Sequence, residues 1–75
     1  MTETFLLINC DIGKEQQVVT RLQSLECVKE VQATNGVYDI IAKLELATER
    51  ELDNTISSKI LKIGPVRSVM MLQSV

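Results

Sequence analysis

The sequence predicts a small α+β domain of order β-α-β-β-α-β, a four-stranded antiparallel sheet with two helices on one face. Three observations predict it. Short apolar runs of strand length alternate with two stretches whose apolar residues recur at helical spacing, and a turn signal stands at most of the junctions. The connections between these stretches are short, so residues 1–75 read as one domain without a linker.

The first strand is the apolar run Thr4-Phe-Leu-Leu-Ile-Asn-Cys-Asp11, closed by Gly13. From Lys14 the period changes: Val18, Leu22 and Leu25 fall at helical spacing, Val19 widens the stripe, and Glu15, Gln16, Gln17, Arg21 and Gln23 face out. The second strand follows, with Val28, Glu30 and Gln32 alternating against Lys29, Val31 and Ala33. It meets Asn35-Gly36, a pair suited to the positive φ values of a tight hairpin. Tyr38 to Leu46 forms the third strand, with Ile40, Ala42, Leu44 and Leu46 on one face. Thr48 and Glu51 make a capping box, after which Leu52, Ile56, Ile60 and Ile63 recur along one side of the second helix. Gly64-Pro65 stops that helix, and Val66 to Leu72, extending toward Val75, supplies the last strand.

Right-handed crossovers put both helices on the same side of the sheet, which gives a ferredoxin-like sandwich. In that arrangement Gly13, Asn35-Gly36 and Gly64-Pro65 gather at one end, and the start of the second strand lies at the other. Cys10 and Cys27 are then roughly 20 Å apart at about 3.3 Å per strand residue, too far for a disulfide.

Composition narrows the function classes. The formal charge is −2, from 8 basic and 10 acidic residues, with no block of like charge. A duplex-binding domain needs a Lys/Arg footprint, so direct nucleic-acid binding is not expected. Aromatic residues are only 3%, which leaves little for stacking on single-stranded bases. With no His and no C-x-x-C spacing, no metal site and no cofactor is expected. No apolar run is long enough for a membrane span and no signal peptide is visible, so a cytoplasmic location with reduced thiols is expected. Catalysis is not expected either. Acid-base work would fall to Asp11, Asp39, Glu45 or Tyr38 without an imidazole, Cys10 lacks a base, and an anion-cradling loop after the first strand would offer Lys14 but no Arg.

Two places carry positive information. A sheet covered on one side should be polar on the other, yet the first and last strands are apolar on both. Phe5 and Leu7 oppose Leu6 and Ile8, while Val66, Met70 and Leu72 oppose Val69, Met71 and Val75. A second copy is the simplest cover for such a face. The expected homodimer interface comprises Phe5, Leu6, Leu7, Ile8, Ile41, Val69, Met70 and Met71. The second place is Asn35-Gly36-Val37-Tyr38-Asp39, which reads either as a plain turn or as polar anchors for a small zwitterion at a subunit boundary; spacing leaves both open.

The run Gly36-Val-Tyr-Asp-Ile-Ile-Ala-Lys43, with Leu52-Asp53 and Gly64-Pro-Val-Arg-Ser68, resembles the effector-binding (RAM) domain of the Lrp/AsnC transcription regulators over nearly the whole chain. The resemblance implies a domain that binds amino acids or related small molecules, dimerises through its sheet and joins dimers into rings. It places ligand contacts at Asn35, Gly36, Val37, Tyr38 and Asp39, with Ser68, Val69 and Met71 on the last strand. Many relatives carry Thr-x-Thr after the Val-Arg-Ser stretch, where Val69 and Met71 stand here. That departure implies either a more apolar ligand or assembly without one. Because Met1 directly precedes the first strand, a stand-alone form is expected, acting on full-length Lrp/AsnC regulators by co-assembly. The alternatives are an ACT-like amino-acid-binding regulatory subunit, with its site at the Gly13 turn, and an architectural module that binds nothing.

Overall fold

A computed structural model describes residues 2–73, so the expected contribution of Val75 lies outside the described residues. The elements are β1 (Thr2–Cys10), α1 (Glu15–Gln23), β2 (Val28–Ala33), β3 (Ile40–Leu46), α2 (Glu49–Thr55, continued by a π-helical turn over Ile56–Ile60) and β4 (Val66–Gln73). They form one antiparallel sheet of order β2-β3-β1-β4 with both helices on one side, the ferredoxin-like sandwich expected from the sequence.

Register decides which side chains form the core. Leu6 and Ile8 of β1 lie opposite Ala42 and Ile40 of β3, and all four are fully buried beneath the helices with Val18, Leu22, Leu52 and Ile60. Leu6 and Ile8 are therefore core residues and are corrected out of the expected dimer interface: their parity turns them to the helices. Val69 and Met71 pair with Ile8 and Leu6 across the β1/β4 ladder, so they too lie on the helix side. They are withdrawn from a sheet-to-sheet contact on the same ground.

Two irregularities break the simple alternation. On β4 the register shifts between Asn9 and Cys10, leaving Arg67 as an extra residue, and Val66 turns inward to pack on the core with Val69. Strict alternation places Val66 with Met70 and Leu72, and the bulge overrides it. A second shift at Lys29 on β2 lets both Val28 and Val31 reach the core.

The hairpin also differs from expectation. Gly36 does not have positive φ, and Gly13 is the one positive-φ glycine among the described residues, at 84°. Residues 34–39 instead form a wider loop, closed by a hydrogen bond from Thr34 N to Asp39 O of 2.8 Å, and β3 starts at Ile40, two residues later than Tyr38. The Thr34 hydroxyl replaces tight-turn geometry, accepting from Gly36 N at 3.3 Å and donating to the Tyr38 carbonyl. At the other predicted turn, Lys14 N bonds Asp11 O at 3.1 Å with Gly13 at the left-handed position, a type II turn.

Thr48 caps α2 as the sequence predicts. Its hydroxyl accepts from Glu51 N at 3.1 Å, while the Glu51 carboxylate reaches back to Ala47 N at 3.3 Å. In the π-helical turn Leu61 N bonds Ile56 O at 2.9 Å, and the wider turn leaves Ile56 half-buried while Ile60 and Ile63 stay in the core.

Candidate functional site

The end of β1, the 34–39 loop and the start of β4 meet at one end of the sheet, as the turn placement predicts. Asp39 holds this end together. Its carboxylate Oδ2 accepts from Cys10 N at 2.9 Å, and its backbone N donates to Ile8 O at 3.0 Å. One carboxylate oxygen is thus committed to the fold. Beside it Asp11 N bonds Pro65 O at 2.9 Å, and the exposed Arg67 and Asp11 side chains approach to 3.6 Å.

The expected ligand residues divide between the two sides of the sheet. Tyr38 directs its hydroxyl to Met70 Sδ at 3.3 Å, and Met70 pairs with Leu7, which opposes the buried parity of β1. Ser68 pairs with Asn9 on this same open side, where Asn9 Nδ2 donates to Ser68 Oγ at 3.5 Å. Asn35, Gly36 and Val37 stand exposed at the loop tip. Val69 and Met71, by contrast, sit on the helix side. Asn9, Thr34 and Met70 belong to the loop's surroundings although the hairpin motif did not include them. The β1 parity carried the signal for Asn9.

The open side is apolar over three adjacent strands. Cross-strand partners place Ile41, Leu7 and Met70 in one row and Phe5 beside Leu72 in the next. Four of these are over a third exposed: Phe5 36%, Ile41 38%, Met70 49% and Leu72 50%. Leu72 joins the face although it was not among the expected interface residues. A groove of about 640 Å³ runs along the β2 edge of this face, past Phe5, Ile41, Lys43, Glu30 and Gln32, and does not touch the 35–39 loop. At its rim Lys43 Nζ lies 3.4 Å from Glu3 Oε2, an ion pair that offsets the Glu3 and Glu45 carboxylates facing each other across β1 and β3.

No group of three His, Cys, Asp or Glu among the described residues could hold a metal ion. Burial pushes the Cys10 thiol above its ordinary value, with the Asp39, Glu15 and Asp11 carboxylates adding to the effect, so it stays protonated and packs as a small apolar group. Among the described residues no helix is long and apolar enough to cross a membrane.

The strand order and the apolar sheet face define the class: a ferredoxin-like sandwich whose second sheet face has no layer over it among the described residues. Within that class the chain belongs to the Lrp/AsnC ligand binding domain family, whose model matches residues 3–73. Among solved structures it is similar to FFRP-DM1, with 32% identity over 100% of both chains and a TM-score of 0.95. It is also similar to a hypothetical protein from Pyrococcus horikoshii, with 32% identity over 100% of this chain and 90% of that one and a TM-score of 0.94. The fold extends to a transcriptional regulator from Neisseria meningitidis in complex with L-Met, at 10% identity and a TM-score of 0.88, where the chain covers 49% of the larger protein. No curated protein matches the chain.

Proposed function

We propose that this chain is an effector-sensing assembly module. It pairs with a second copy through the open sheet face, holds an amino acid or similar small molecule near the 35–39 loop at a subunit boundary, and modulates Lrp/AsnC regulators by co-assembling with them. It performs no catalysis. The observation that carries this reading is the apolar face of Phe5, Leu7, Ile41, Met70 and Leu72, with the Tyr38 hydroxyl resting on Met70 at its margin. Contiguous apolar surface of this kind on a small domain marks an interaction site. The family membership and the L-Met bound to the Neisseria relative support an amino-acid ligand.

An architectural reading without a ligand has its own support. Val69 and Met71 bring no hydroxyl, and they lie across the sheet from Tyr38 and Ser68. Mass in solution combined with a thermal-shift panel of amino acids separates the two. A dimer or larger species whose melting temperature rises with particular amino acids is expected, through linkage of binding to folding. Assembly with a flat response would leave the architectural module, and lone subunits at micromolar concentration would sink both.

A further inference from the structure

On the side of the molecule away from the open sheet face, α1 and α2 leave a trench between them. One section, about 210 Å³, has Arg21 on one bank and Lys59 and Lys62 on the other, over Leu25 and Ile63. It shares Leu25 and Lys59 with a second section of about 370 Å³ that runs on to Cys27 and Leu46, with Glu26 lining that far end.

Like charges brought close together repel, so cations gathered on the facing banks of a groove carry a cost that an anion between them would offset. Here three of the chain's 8 basic residues crowd one short section, in a protein of net charge −2. None of the three makes an ion pair with a carboxylate among the described residues. Helix ends account for part of the excess, since Arg21 and Lys59 lie in last turns where positive charge offsets the macrodipole. Lys62 lies beyond the last turn. The neighbouring serines are already committed, with Ser24 Oγ donating to Arg21 O at 2.6 Å and Ser58 Oγ donating to Asn54 O. Recognition along the banks falls to the three cations, and the floor beneath is apolar.

We propose that this trench docks an acidic, leucine-bearing segment of a partner protein. Carboxylates would meet the three cations, and the aliphatic side chains would cover the half-buried Leu25. A small free anion fits less well, because so open a trench cannot bury most of a small ligand's surface. Nucleic acid fits less well again, with three cations, no aromatic residue in the trench and an acidic chain around it. The trench and the open sheet face are on opposite sides of the domain, so partner docking and self-assembly are compatible and independent.

The test is fluorescence anisotropy on the full chain with a labelled peptide of Glu and Leu, against the same peptide with Gln in place of Glu. Binding of the acidic peptide alone is expected, weakening with added salt and falling about tenfold or more in Arg21→Glu/Lys62→Glu. Circular dichroism and solution mass confirm that this variant stays folded and assembled; should it not, Lys62→Gln with Lys59→Gln takes its place. Equal binding of the Gln peptide, unchanged binding by the variant, full displacement by millimolar phosphate at constant ionic strength, or equal affinity for oligo-dT would each overturn the proposal.

Discussion

Thr4 is 1% exposed, and its hydroxyl is a buried polar atom without a hydrogen-bond partner among the described residues. Leaving such a group unsatisfied costs about 1–3 kcal/mol. Thr4→Val keeps the shape and removes the orphan, so it should raise unfolding stability by about 1 kcal/mol, read as a higher urea midpoint at unchanged slope; a lower midpoint would mean that the hydroxyl has a partner. Thr4 sits on the inward parity of β1 with Leu6 and Ile8, and that alternation is readable in the sequence. Asp39 shows the opposite case. Its polar character is plain, but its service to Cys10 N spans 29 positions and depends on where β1 ends, which no local pattern contains. Asn35-Gly36 misleads for a related reason: the Thr34 hydroxyl and the Asp39 backbone close a wider loop, and the positive φ that the pair could supply is not used.

Among the elements, those with a single strong period were legible and those with an insertion were not. The capping box before α2 is a local signal with a local mechanism, and both of its hydrogen bonds form, although Glu51 reaches Ala47 N where the motif's usual target is the capping residue itself. Thr48→Ala removes the acceptor for Glu51 N and should cost about 1 kcal/mol. Thr48→Ser, which keeps the hydroxyl, should recover most of that loss, and equal destabilisation by both would show that the methyl group matters more than the cap. The bulges at Lys29 and Arg67 and the π-helical turn each shift parity by one residue. Tertiary fit imposes them, since they bring Val28, Val66 and Ile63 to the core at the expense of regular local bonding. A strand such as Val66–Gln73, apolar on both sides, gives no warning that its alternation slips.

At the scale of the whole molecule the fold was readable because the apolar period switches cleanly between strand and helix, whereas the choice of face was degenerate. Phe5 and Leu7 are as apolar as Leu6 and Ile8, and only the seating of the helices decides which pair is buried. What remains is a 75-residue domain with one sheet face covered and the other greasy and bare. A domain this small buries too little surface for much stability of its own, so closing the open face against a second copy should also stabilise the fold. Met70 and Leu72 test this, because each is about half exposed in the single subunit and tolerates a charge there without entering the core. In the wild type the melting temperature should rise with protein concentration, as mass action requires of a folded assembly. Met70→Lys/Leu72→Lys should retain the wild-type circular dichroism, run at the 8.4 kDa of one chain and melt at a temperature independent of concentration. If the double variant keeps the wild-type mass, the open face is not where the copies meet.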